Sequence, residues 1–366
     1  MAETARKRVL IVDDAIVVRK VLSEAISRDP DLEVAGTAAN GKLGLAKFTS
    51  LKPDIVLLDI EMPEMDGLQT LREIRKIDTR IPIVMFSSLT ARGAAATLEA
   101  LSHGASDYVT KPSNSDMGAT HDAVAQELLP RIRALCRLPH PDFSIPAPSA
   151  GPAQPRAPRK IALSLPPKII AIGASTGGPD ALAHVIPSLP ANLPVPVVVA
   201  QHMPPLFTHM LADRLAARSA LTVRECVSGE VLTPGCAFVA PGDLHMEVRR
   251  EDDVLRLRTQ QGPKENSCRP SVDVLFRSVA SVFGGRCLAV VLTGMGQDGM
   301  KGCELLADAG ARILVQDQAT SVVWGMPGFV ARAGLADKIV PLDRVSTEIL
   351  RALNSPIATA VAKAGR

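Results

Sequence analysis

The chain has 366 residues, of which 46% are hydrophobic and 22% charged, enough to bury two sizeable cores. A formal net charge of +3, one Trp and one Tyr give neither an electrostatic nor a stacking case for nucleic acid as partner. The apolar run after Arg6-Lys7-Arg8 ends at Asp13, too short for a signal-peptide core, and no run reaches membrane-spanning length, which predicts no direct membrane insertion. Six cysteines (136, 226, 236, 268, 287 and 303) show no C-x-x-C pair and no metal-finger spacing, and read as reduced thiols of a cytoplasmic protein.

Residues 8–13 (R-V-L-I-V-D) predict a short strand ending at Asp13 and Asp14, followed by a helix over 15–28 with Ile16, Val17, Val21, Leu22 and Ile26 in helical periodicity. The plan then repeats. Strands are expected at 32–35, 54–59, 81–86 and 107–109, and helices at 41–51, 68–77 and 91–102. Five strands alternating with helices imply a parallel, doubly wound, flavodoxin-like sheet. Asp13, Asp14, Asp59, Ser87 and Lys111 each fall at or just past the carboxyl end of a predicted strand, where open α/β sheets gather their functional groups in one crevice. Three carboxylates there suit a hard cation such as Mg²⁺, and a lysine with a hydroxyl can hold the oxygens of a phosphoryl group. Each acid alone would read as a helix cap or turn residue; five such positions on one plan do not.

The segments V-D-D (12–14), L-L-D-I-E-M-P-E-M-D-G (57–67), F-S-S (86–88) and D-Y-V-T-K-P (107–112) resemble the receiver domain of two-component response regulators. The resemblance implies that Asp59 accepts phosphate from a partner histidine kinase, that Asp13 and Asp14 help it bind Mg²⁺, and that Ser87 and Lys111 read the phosphoryl group. Tyr108 resembles the aromatic whose position reports the switch; a half-exposed edge-strand ring is the alternative.

An amphipathic helix is expected from His121 to about Arg137. Nine prolines then recur among Ala, Ser and Gly between 138 and 167, a composition that cannot build a core. The expected organisation is a receiver domain at 1–137, a linker at 138–167 and a second domain at 168–366. In that second domain I-I-A-I-G-A-S-T-G-G-P (169–179) reads as a buried strand, a sharp Gly-rich turn carrying Ser175, and a helix start. A second buried strand (196–200) delivers Gln201 and His202, and a helix follows at 207–217. Residues 221 to about 259 alternate polar and apolar around the acidic turn Glu251-Asp252-Asp253, as an inserted hairpin would. A helix is expected at 271–281. A third buried strand (287–292) delivers T-G-M-G-Q-D-G (293–299), and a helix (304–309), a strand (312–316) and two closing helices complete a mainly parallel α/β domain.

Three strands thus carry Ser175, His202 and Asp298 to one end of a sheet. That set performs acyl transfer: the imidazole takes the hydroxyl proton, and the carboxylate fixes its tautomer and stabilises the imidazolium. An α/β-hydrolase would need its histidine after the acid, yet the last histidine is His245, so the order here is Ser, His, Asp. His184 and His209 fall within predicted helices, and His245 starts a hairpin strand; all three read as structural. The amide of Met295 or Thr176 is positioned by sequence to stabilise an oxyanion.

I-G-A-S-T-G-G-P, A-Q-H-M-P, R-P-S-V-D-V-L-F (269–276), L-T-G-M-G-Q-D-G and W-G-M-P (324–327) together resemble the catalytic domain of the chemotaxis response regulator protein-glutamate methylesterase / protein-glutamine glutaminase family, the CheB family. The resemblance implies a serine hydrolase that releases methanol from glutamyl γ-methyl esters of chemoreceptors at cytoplasmic receptor arrays and also deamidates receptor glutamines. It further implies a monomer with no cofactor for the hydrolase, inhibited by the receiver until Asp59 is phosphorylated. Arg269 is expected at the substrate or, alternatively, in a surface ion pair; Trp324 lines the cleft or packs in the core. Competing readings are a phosphorylation-controlled binding module without turnover and a receiver fused to a nucleotide-binding Rossmann domain. The second lacks G-x-G-x-x-G after Ile172, and no helix-turn-helix with a basic face supports DNA binding.

Overall fold

The computed structural model describes residues 5–111, 120–138 and 166–354. The chain divides between residues 146 and 147 into two compact units. Apart from Leu138, Pro166 and Pro167, the expected linker lies outside the described residues, as does Pro112.

The first unit runs β1 (Lys7–Val12), α1 (Ile16–Ser27), β2 (Leu32–Ala38), α2 (Gly41–Leu51), β3 (Ile55–Asp59), α3 (Gly67–Ile77), β4 (Ile83–Ser87), α4 (Ala91–Ser102), β5 (Asp107–Thr110) and α5 (Thr120–Leu135). The strands form one parallel sheet in the order β2-β1-β3-β4-β5. Helices cover both faces, so β3 and β4 are buried at every residue, and continuous apolar runs such as I-V-L-L-D are what such strands require. The strand order reverses direction between β1 and β3, which opens the crevice at their carboxyl ends. In α1 only Leu22, Ala25 and Ile26 are buried; Ile16 and Val17, expected on the apolar face, are 74% and 50% exposed beside that crevice.

The second unit contains β6 (Ile170–Ala174), α6 (Gly178–Val185), β7 (Val197–Gln201), α7 (Pro205–Ala216), β8 (Thr222–Glu225), β9 (Cys236–Val239), β10 (His245–Glu251), β11 (Val254–Gln260), α8 (Val272–Phe283), β12 (Leu288–Val291), α9 (Met300–Asp308), β13 (Arg312–Gln316), α10 (Met326–Arg332), β14 (Lys338–Val340) and α11 (Leu342–Asn354). Seven strands make a parallel sheet in the order β14-β13-β12-β6-β7-β9-β8, with β6 central. The inserted hairpin is shorter than its expected span. Only β10 and β11 form it, turning at Asp252 and Asp253, both at positive φ, while β8 and β9 extend the main sheet. β8, the edge strand, is only partly buried and so reads from sequence like a hairpin strand, whereas β9 lies inside it and is buried at three of its four residues. β14 was not expected; it is three residues long and largely exposed.

The core on one face of this sheet joins Ile169, Ala171, Val198 and Val291 to Val272, Leu275, Phe276 and Val279 of α8, and to Met246, Val248 and Leu257 of the hairpin. Gly173 makes that docking possible, because a Cβ there would overlap Val272 Cγ1 at the start of α8. Among the described residues, no helix is long and apolar enough to cross a membrane.

Candidate active site

In the first unit, Asp13 follows β1, Asp59 ends β3 and Lys111 follows β5, so strand ends at the carboxyl end of the same sheet bring them together, with β4 between β3 and β5. Lys111 Nζ lies 2.8 Å from Asp59 Oδ1 and 3.2 Å from Asp13 Oδ2. Burial raises the carboxyl pKa of both acids; Asp59, which also feels the charge of Asp13, reaches about 6. Exposed Asp14 completes a cluster whose carboxylate oxygens lie within 4.8 Å of one another. Of its buried oxygens, Asp59 Oδ2 makes no hydrogen bond and Asp13 Oδ2 has only the Lys111 ammonium beside it. Unsatisfied carboxylate oxygens with one lysine beside them fit a hard, oxygen-seeking cation. The Ser87 hydroxyl is buried and turned to α4, bonded to the Thr97 hydroxyl at 2.8 Å and to the Gly93 carbonyl at 3.2 Å. Tyr108 is buried rather than half-exposed, at 8% exposure, and burial pushes its phenol up.

In the second unit, β12, β6 and β7 are neighbours, and the residues after β6 and β7 are Ser175 and His202. The His202 N–H donates to the Ala174 carbonyl at 3.3 Å, so the two segments leave the sheet side by side. Ser175 is half-buried, and its backbone is pinned from three sides: its N–H donates to Thr293 O, while its carbonyl accepts from Gly178 N and Gln201 Nε2. Gly178 is required here because a Cβ would overlap Gln201 Oε1. Ser175 is not among the residues with positive φ, so its turn lacks the left-handed strain of a hydrolase nucleophile elbow.

Asp298 is the most heavily bonded side chain of the site. Its Oδ2 accepts from His202 Nε2 at 2.8 Å and from the Val272 N–H at 2.7 Å. Its Oδ1 accepts from the Asn266 side-chain amide, the Ser271 hydroxyl and the backbone N–H groups of Asp273 and Gly299, at 2.8 to 3.1 Å. The local sequence explains this cradle: Ser271 caps α8, so the first amides of that helix point out at the carboxylate. Burial alone would raise the Asp298 carboxyl, but the His202 hydrogen bond and the α8 amides hold it well below the ordinary carboxylate range. Its neighbour Asp273, bonded to Asn266 and the Gly302 N–H, is instead raised by burial and by the Asp298 charge to about 6.

With Nε2 committed to Asp298, the ring nitrogen left for a serine is Nδ1, and the Cys268 thiol faces it at 3.3 Å. The Ser175 hydroxyl makes no hydrogen bond among the described residues. Burial would lower the His202 pKa, but the neighbouring Cys268 sulfur and the Asp298 hydrogen bond raise it above the ordinary histidine value.

Gly294 packs against Ser175, and the Met295 N–H that follows has no acceptor among the described residues; Thr176 is buried and its carbonyl accepts from the Thr293 hydroxyl. Arg269 takes the ion-pair alternative, with its guanidinium on Asp243 Oδ1 and the Gly262 carbonyl, and a substrate contact would have to compete with both. Trp324 donates its indole N–H to the Gln316 carbonyl and lies under Arg332. His245 is a buried clamp between Pro263 O and Ser271 N, while His184 and His209 are exposed. Sequence reasoning missed Gln201, Asn266, Cys268, Ser271 and Asp273. A signal was available only for Ser271 and Asp273, as a serine cap with an acid in the first turn.

A family model described as CheB methylesterase matches residues 170–349, and one described as response regulator receiver domain matches residues 9–121. A protein-glutamate methylesterase/protein-glutamine glutaminase of Trichodesmium erythraeum is 47% identical over 94% of this chain and 98% of its own length. One of a Nocardioides species is 50% identical over 94% of this chain and 95% of its own. The crystal structure of the Thermotoga maritima CheB methylesterase catalytic domain superposes with a TM-score of 0.50 at 40% identity, covering 51% of this chain and 99% of that one.

Proposed function

The chain belongs to the CheB methylesterase family and carries a response regulator receiver domain ahead of the esterase; from that premise we propose how its own residues perform and control the reaction. It is a response-regulator protein-glutamate methylesterase with protein-glutamine deamidase activity, acting on glutamyl γ-methyl esters of methyl-accepting chemoreceptors. Ser175 is the nucleophile. His202 Nδ1 takes its proton as Oγ adds to the ester carbonyl, and Asp298 holds Nε2–H and stabilises the imidazolium. The Met295 and Thr176 amides receive the oxyanion. Collapse of the adduct breaks the bond to methoxide, which leaves as methanol with the proton from Nδ1; water then attacks the acyl-serine by the same route. Deamidation follows the same steps with ammonia leaving.

The observation that carries this reading is the pairing of His202 Nε2 with the saturated Asp298 carboxylate on the strand end next to Ser175. In the receiver, Asp59 takes the phosphoryl group from a histidine kinase. Asp13, Asp14 and Asp59 would hold Mg²⁺, which offsets charge at the phosphoryl oxygens when bound. Lys111 pairs with those oxygens, and Ser87 reaches them by leaving Gly93 O for a new acceptor. Phosphorylation relieves inhibition of the esterase by the receiver, at cytoplasmic receptor arrays.

The test is methanol release from methylated chemoreceptor membranes by the intact chain, with and without a small phosphodonor and Mg²⁺. Release stimulated by phosphodonor and abolished by Ser175→Ala supports the reading. Release that survives Ser175→Ala overturns the nucleophile assignment.

A further inference from the structure

Cys268 has the position a nucleophile would hold in a Cys-His-Asp arrangement. Its Sγ lies 3.3 Å from His202 Nδ1, and the opposite ring nitrogen is 2.8 Å from Asp298. The thiol is not on a loose segment. Glu265 and Cys268 exchange two backbone hydrogen bonds across a turn whose central residues, Asn266 and Ser267, sit at φ 51 and 63. Arg277 pins Glu265, and the Asn266 amide ties the turn to both Asp298 and Asp273. Cys268 is also half-buried, so a small reagent can reach it, whereas Cys226, Cys287 and Cys303 are buried with thiols pushed up by burial. Cys136 is half-buried, but burial pushes its thiol up to about 12. A thiol beside an imidazole that can take its proton, with a carboxylate behind the ring, is the combination that makes a cysteine nucleophilic.

We propose that Cys268 is a covalent modification site for α,β-unsaturated carbonyl electrophiles, and that its capture shuts off the esterase. The inference rests on His202 Nδ1 being the base of Ser175, since the adduct would stand on that nitrogen. In the step itself the thiol proton passes to His202 Nδ1 and Sγ adds to the β-carbon. The S–C bond forms as the C=C π bond breaks. The resulting enolate carbon takes the proton back from Nδ1, so no leaving group or oxidant is needed.

The probe is N-ethylmaleimide, applied to the full chain at limiting amounts, with labelled cysteines mapped by mass spectrometry and methanol release followed in parallel. Cys268 is expected to label about tenfold faster than any other cysteine, and about tenfold more slowly in His202→Gln. Esterase activity should fall in step with labelling, while Cys268→Ala keeps its own untreated rate under the same treatment. Labelling of Cys268 no faster than the rest, labelling unaffected by His202→Gln, or equal inactivation of Cys268→Ala would each overturn the proposal. Because labelling is read by mass, a failure of the serine assignment, seen as methanol release by Ser175→Ala, is distinguishable from a failure of this one.

Discussion

Replacing Asp298 by Asn exchanges one acceptor oxygen for an NH₂ group, and the surroundings decide which. On the Oδ1 side three N–H donors are fixed: the Asn266 amide and the backbones of Asp273 and Gly299. On the Oδ2 side only the Val272 N–H is fixed, because the imidazole can change tautomer. Each buried donor facing a donor costs about 1–3 kcal/mol, so placing NH₂ toward His202 is favoured by at least about 2 kcal/mol. In that orientation the amide donates to Nε2, the ring proton moves to Nδ1, and the nitrogen that must accept the Ser175 proton is blocked. Loss of a correctly held triad tautomer costs about 10⁴ in rate in a serine protease, equivalent to about 5 kcal/mol of barrier. Asp298→Asn should therefore lower single-turnover methanol release by about 10³- to 10⁴-fold, while folding stability falls only by the one unmatched Val272 amide, about 1–3 kcal/mol in denaturant titration. A folded variant within about tenfold of the parent rate would refute the assignment of Nδ1 as the working nitrogen.

Cys268→Ala removes a neighbour that raises the His202 pKa; since only the neutral ring is a base, the rising limb of the pH–rate profile should move to lower pH, and an unmoved limb would contradict the pairing. Gly178→Ala pushes a Cβ into Gln201 Oε1 and should cost about 1–3 kcal/mol in chemical denaturation together with esterase activity, because the same glutamine holds the Ser175 carbonyl. Asp59→Asn should abolish stimulation by a small phosphodonor but leave unstimulated methanol release in place. Chelating Mg²⁺ should have the same selective effect on the parent chain, and loss of basal release on chelation would place a metal in the hydrolase instead.

The strands that carry Asp59, Ser175, His202 and Asp298 were legible because parallel strands covered on both faces are continuous apolar runs, and polar residues at their carboxyl ends stand out. β8 and β14 were less so: they are the two edges of the sheet, where partial exposure breaks the apolar run. Cys268 and Asn266 fall on a turn with no periodicity, and the contacts of Cys268 with His202 and of Asn266 with Asp298 join residues 66 and 32 apart in sequence. Nor does any pattern of residue types tell which imidazole nitrogen meets the acid. That is set by the orientation of the His202 side chain in the fold, which presents Nε2 to a carboxylate that α8 holds in place.

The seat of Asp298 on the first turn of α8 also makes that helix a support for the chemistry. The acid is carried by the loop after β12, but its direction is set by amides of a helix whose far side holds the hairpin, through Ser278 Oγ and the Val248 N–H. One helix thus braces both the hairpin, through Ser278, and the carboxylate that holds His202, so the two rest on a common support.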